Sequence, residues 1–151
     1  MNDADSGNGS AVTSLGETGS ATAAEQLGFK AGDLIQEFGY DEDVDFALRD
    51  SVEELTGNEI LEEEDHDVVD AVLLWQRSDD DDLVDSLMDV IGDLDEGGVV
   101  WVFTPKSGRS GYVPPSEIQE AAPTAGLHVT STAGVSDDWA ATRLVPRRNH
   151  K

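Results

Sequence analysis

The chain has no cysteine among its 151 residues. Disulfides, thiolate metal sites and cysteine nucleophiles are therefore excluded. Bases are scarce as well: nine Lys and Arg stand against 33 Asp and Glu, a formal charge of −24. So negative a field repels nucleic acid and anionic membranes, whose recognition needs clustered Lys and Arg, and it attracts basic partners. No apolar run approaches the roughly 20 residues that span a bilayer. The opening MNDADSGNGS lacks the basic patch and apolar stretch of a secretion signal. The expected location is the cytoplasm.

The three histidines, His66, His128 and His150, have neither zinc-ligand spacing nor a Ser/His/Asp partner pattern. Ser51, Ser86 and Ser107 lack a Gly-x-Ser-x-Gly elbow. The sequence thus names no catalytic residue. The acid run Asp79–Asp82 lacks the alternating spacing of a calcium loop and reads as the start of a helix, whose dipole favours acids there. No dedicated metal site is expected.

What is present is ordered along the chain. Residues Met1 to Ala23 are mostly Ser, Gly, Thr, Ala and Asp, with almost nothing to bury, and read as a disordered acidic, polar tail. Residues 24–148 make one domain, and 149–151 a short C-terminal tail. The charge divides sharply: Met1–Thr104 holds 29 acids against three bases, whereas Pro105–Lys151 holds four acids against six bases.

Within the domain, strand and helix patterns alternate. Leu34–Phe38 predicts a strand. Val44, Leu48, Val52 and Leu55 follow at helical spacing, with Gly57 as the stop. Glu59–Leu61 predicts a weak second strand before the acidic turn Glu62–Asp67. Val68–Trp75 is a β-branched apolar run, the pattern of a strand buried on both faces, with Asp70 near its wet end. Leu83 to Leu94 marks a helical face closed by Gly97-Gly98, and Val99–Thr104 is another buried strand. A short helix begins at Pro115 and runs to about Ala122. Leu127–Thr132 and Trp139–Val145 predict two strands joined directly through the Gly134–Asp138 turn. The implied fold is α/β, a small Rossmann-like and mainly parallel sheet with an antiparallel C-terminal edge pair, whose exposed last strand could pair with another copy or be shielded by the tail.

The first strand–helix turn is where such folds place a cofactor, because glycines let the backbone approach it and the helix N-terminus attracts an anion. Many S-adenosylmethionine-dependent methyltransferases carry Glu-x-Gly-x-Gly-x-Gly at this point. Here the segment reads Glu37-Phe38-Gly39-Tyr40-Asp41-Glu42-Asp43. Glu37 and Gly39 match; Asp41 and Asp43 replace the later glycines, adding a Cβ and a charge each. They are expected to cap the following helix instead. Glu62 and Glu63 lie where an acid can hold ribose hydroxyls, and Tyr40 could stack on a base. Glu37, Gly39, Tyr40 and Glu62 are therefore the candidate, degenerate cofactor residues.

AGDLIQEFGYDEDVD, DAVLLWQRSDDDDL, EGGVVWVFTPKSGRSGYV and DWAATRLV together resemble the actinobacterial domain-of-unknown-function 3052 family over about Leu27 to Arg147. The resemblance implies a methyltransferase-like Rossmann domain shorter than a working methyltransferase. It implies no particular activity and no set of catalytic residues.

One basic, glycine-containing loop stands out in the core of the chain, TPKSGRSGYV, Thr104–Val113. Lys106 and Arg109 there suit a small anion, or neutralise acid-rich loops across the sheet edge. It is not a P-loop. Trp75, Trp101 and Trp139 fall in strands and read as packing residues. The leading functional reading is a non-catalytic Rossmann-like binding or regulatory module acting through a basic protein partner, with no cofactor. The alternatives are a small S-adenosylmethionine-dependent methyltransferase with a degenerate glycine loop, and a sensor of a small anionic metabolite held by Lys106 and Arg109.

Overall fold

The computed structural model describes residues 23–80, 82–134 and 136–146. The expected N-terminal tail and the C-terminal Arg147, Arg148, His150 and Lys151 lie outside the described residues, apart from Ala23. The elements, in chain order, are α1 (Ala23–Gln26), β1 (Ile35–Phe38), α2 (Phe46–Thr56), β2 (Val69–Trp75), α3 (Leu83–Val90), β3 (Leu94–Pro105), α4 (Pro115–Thr124), β4 (Leu127–Ala133) and β5 (Trp139–Pro146).

The strands form one mixed sheet in the order β1-β2-β3-β5-β4. β1, β2 and β3 are parallel. β5 runs antiparallel to both β3 and β4. The α/β, Rossmann-like architecture with its antiparallel C-terminal pair is thus present. The last strand is not the exposed one, however: β5 is inserted between β3 and β4, and β4 forms the edge. The predicted strand at Glu59–Leu61 shrinks to one parallel bridge, Leu61 to Gln36, on the outer side of β1.

The packing of β2 accounts for its hydrophobic run. Ala71, Leu73 and Trp75 face α1 and α2, joining Leu27, Phe29, Val44, Leu48 and Val52. Val72 and Leu74 face α3 and α4, joining Leu83, Leu87, Val90 and Ile118. Both faces are dry, so nearly every position is apolar; each buried large side chain contributes about 1.5–3 kcal/mol. Asp70, near the start of the strand, is exposed, and its carboxylate accepts the Leu34 amide at 2.9 Å. The three tryptophans are core: Trp75 stacks on Phe103 at 4.5 Å and meets Trp139 edge-on at 5.0 Å, while Trp101 is 3% exposed.

The third helix is shorter than its pattern. α3 ends at Val90, and the chain is already in β3 at Leu94, so Gly97-Gly98 lies inside a strand and not at a helix end. The glycine there answers a packing demand. A Cβ on Gly98 would meet Leu94 Cδ1 at 2.5 Å and the Asp70 carbonyl at 2.8 Å, beside the irregularity where β3 joins β2.

α2 is capped by Asp45, whose carboxylate accepts the Leu48 amide at 3.0 Å. The caps expected from Asp41 and Asp43 are therefore corrected: α2 begins only at Phe46, which leaves both acids upstream of the cap position.

Candidate functional site

From β1 the chain crosses through α2 to Leu61 on one side of β1, then returns to β2 on the other. The carboxyl end of β1 is therefore a switch point, where open α/β sheets form their ligand crevice. Phe38–Asp41, Glu63, Leu74–Arg77, Asp79, Asp80, Ser86, Asp89 and Val90 line an open cleft of about 400 Å³ there. A neighbouring cleft of about 700 Å³ is lined by Glu37, Tyr40, Arg49 and Glu62–Glu64. The structure thus brings Glu37, Gly39, Tyr40 and Glu62 to one sheet edge, with Tyr40 between the two clefts.

Glu37, Gly39 and Tyr40 are engaged locally, whereas Glu62 is exposed and engaged through its backbone alone. Glu37, 6% exposed, points toward the α2 face. Arg49 donates Nε to Glu37 Oε2 at 2.7 Å and Nη2 to Oε1 at 3.0 Å, and the Trp75 indole donates to Oε2 at 2.8 Å. The hydrogen bonds to Glu37 raise the Arg49 pKa above its ordinary value despite partial burial. Glu37 is consumed by holding β1, β2 and α2 together.

Gly39 has φ +79°, and a Cβ there would lie 2.3 Å from the Trp75 carbonyl oxygen. Packing against β2 demands the glycine, with or without a ligand. Its amide donates to Glu63 Oε2 at 2.9 Å, and its carbonyl accepts Arg77 Nη1 at 2.7 Å. Tyr40 is 52% exposed, edge-on to Phe46 at 6.0 Å with the Arg49 guanidinium 4.9 Å from its ring centre. Glu62 uses its backbone: its carbonyl accepts Gln36 Nε2 at 3.0 Å, and its amide donates to Asp65 Oδ2 at 2.9 Å. Of the two neighbouring acids, Glu63 and not Glu62 reaches the glycine.

Arg77 and Asp43 complete the edge. Arg77 Nε donates to Asp43 Oδ2 at 3.1 Å and Nη2 donates to Asp43 Oδ1, while Nη1 also reaches the Trp75 carbonyl at 3.1 Å. The Arg77 hydrogen bond, reinforced by its charge and only partly offset by burial, lowers the Asp43 pKa below the usual aspartate value. Burial works against the Arg77 charge, yet Asp43 outweighs it and the Arg77 pKa is raised. These contacts join residues 34 and 38 positions apart in sequence. Only the cluster of acids upstream and a lone arginine after a buried strand hinted at them.

Lys106 and Arg109 stand at the same end of the sheet but line neither cleft. Arg109 pairs with Asp138 of the β4–β5 turn at 3.1 Å, both side chains about half exposed, and the Lys106 amide donates to the Asp138 carbonyl at 3.0 Å. Among the described residues no cluster of His, Asp or Glu is arranged to hold a metal ion. In the Asp79–Asp82 run, Asp82 caps α3 and Asp80 accepts the Arg77 amide at 2.8 Å. No helix of the described residues is long and apolar enough to cross a membrane.

The fold is Rossmann-like and similar to that of methyltransferases. The domain is similar in structure to the mitomycin 7-O-methyltransferase MmcR, with TM-score 0.58 and 14% identity, over 82% of this chain and 52% of that one. It is likewise similar to the O-methyltransferase NcsB1 from neocarzinostatin biosynthesis, solved with S-adenosylmethionine, with TM-score 0.58 and 18% identity over 83% of this chain and 50% of that one. The chain spans about half the length of these two enzymes. Residues 24–148 match the family described as protein of unknown function (DUF3052), and the chain belongs to it. Uncharacterized proteins of Mycobacterium tuberculosis and Mycobacterium bovis are 54% identical to it over 122 residues, 81% of this chain and 77% of theirs.

Proposed function

We propose that this domain is a non-catalytic binding module, a methyltransferase-like scaffold that acts in the cytoplasm through a basic protein partner. One observation carries the reading: the two residues that match the glycine-loop pattern, Glu37 and Gly39, already have partners inside the chain. The Gly39 amide is held by Glu63, its carbonyl by Arg77, and Glu37 by Arg49 and Trp75. The crevice lining also favours cations over anions, since Asp41, Glu63, Asp79, Asp80 and Asp89 outnumber Arg77. Electrostatic attraction of this kind speeds association with a basic surface and makes it sensitive to salt.

A small S-adenosylmethionine-dependent methyltransferase is the second reading. It is favoured by a crevice at the switch point of a fold similar to that of NcsB1, a protein solved with that cofactor. Calorimetric titration with S-adenosylmethionine and S-adenosylhomocysteine in physiological salt separates the two. The binding-module reading predicts no heat at millimolar ligand; micromolar affinity would put the enzyme first.

A further inference from the structure

Arg77 leaves the end of β2 and folds back over the ends of β1 and β2, its side chain 11% exposed. The acceptors around its guanidinium are all oxygens: the carbonyls of Gly39 and Trp75 and the carboxylates of Asp43 and Asp80. The guanidinium carbon sits 5.3 Å from the centre of the Trp139 ring, a cation–π contact. Gly111 of the β3–α4 loop covers the aliphatic stem so closely that a Cβ there would stand 3.2 Å from Arg77 Cβ. Carbonyls, carboxylates and an aromatic face, set at the crevice of an open α/β sheet, are what a donor-rich organic cation requires. The chain supplies that cation itself.

We propose that Arg77 is an internal occupant of the buried, oxygen-lined side of the strand-end crevice, beside the open cleft that it helps to line, filling a subsite whose ligand class is an organic cation with hydrogen-bond donors, such as a guanidinium, an ammonium or the sulfonium amino acid of a cofactor. The plug rests on the binding-module reading and deepens it, because the cation-accepting oxygens at the ends of β1 and β2 are taken by a side chain of the domain itself. Their failures are distinguishable: titration of the wild-type protein tests the module, and the Arg77 variants test the plug.

The plug is tested by chemical rescue. Arg77→Ala and Arg77→Met, the second keeping an apolar stem beneath Gly111, are heated with 0 to about 20 mM methylguanidinium at ionic strength matched with sodium chloride, a range well below denaturing concentrations. The expected result is a saturable rise in melting temperature of about 2 °C or more for the variants and none for wild type. A variant that folds only with the ion present supports the plug equally. S-adenosylmethionine is titrated into the same variants in parallel. A gain of at least tenfold over wild type extends the ligand class to the sulfonium cofactor. A response to methylguanidinium alone confines the class to guanidinium-like cations. If neither compound stabilises either variant, the Arg77 cage is an ordinary structural contact and the proposal is overturned.

Discussion

Glu37 and Arg49 meet in a two-pronged ion pair between β1 and α2, with the acid 6% and the arginine 21% exposed. A fork of this kind fixes both partners in direction as well as distance. Because the Trp75 indole shares the same carboxylate, three elements of the fold converge on the residue that the glycine-loop pattern singles out.

Replacing Glu37 with Ala should therefore damage the fold itself. The change strands a partly buried guanidinium and a buried indole N–H, a loss of about 3 kcal/mol. Urea denaturation measures it. A change under about 0.5 kcal/mol, the scale of an ordinary surface substitution, would contradict the structural role given to Glu37.

Gly39→Ala should cost about 2–3 kcal/mol, from a Cβ pressed onto the Trp75 carbonyl and a left-handed backbone. The same denaturation experiment checks it without any ligand. A glycine present only for a cofactor's approach would tolerate alanine in the free protein.

The elements that were legible in the sequence are those whose signal is local. Val69–Trp75 is apolar at every position but Asp70 because both faces of the strand are covered. The start of β3 was not legible: Leu94–Gly98 is polar and glycine-rich, and only its pairing with β2 makes it a strand. The cap of α2 was hidden among alternatives, since Asp41, Asp43 and Asp45 are equivalent by type and only the helix start decides between them. Glu62 and Glu63 differ by which way one turn points. The clasp of Arg77 on Asp43 and Gly39 depends on the packing of β1 against β2, which no spacing along the chain encodes.

Asp45→Ala should lower stability by about 1 kcal/mol through loss of the α2 cap. Asp41→Ala should leave it within about 0.5 kcal/mol, because the Asp41 side chain serves an exposed turn through the Glu42 amide. Equal effects of the two substitutions would reassign the cap.

The clasp should leave a signature in acid. The Asp43 pKa is lowered in the folded protein, chiefly by the Arg77 hydrogen bond, so its contribution to stability is present above the unfolded aspartate value of about 3.9 and is lost as pH falls through the folded value. Asp43→Asn should thus be less stable than wild type at pH 7, with the gap narrowing as the pH falls below about 4. Thermal unfolding across pH 3 to 7 tests this; a gap of constant size would show that Asp43 acts without its charge.

The central claim, that the glycine loop serves the fold and not a cofactor, is met most directly by an amide proton–nitrogen NMR spectrum of the wild-type chain titrated with S-adenosylmethionine. The cross-peaks of Gly39, Tyr40 and Arg77 report the loop and its clasp residue by residue. They should stay in place at millimolar ligand, since Glu63 and Arg77 already hold the Gly39 amide and carbonyl. A saturable shift of the Gly39 peak at micromolar concentration would contradict the account.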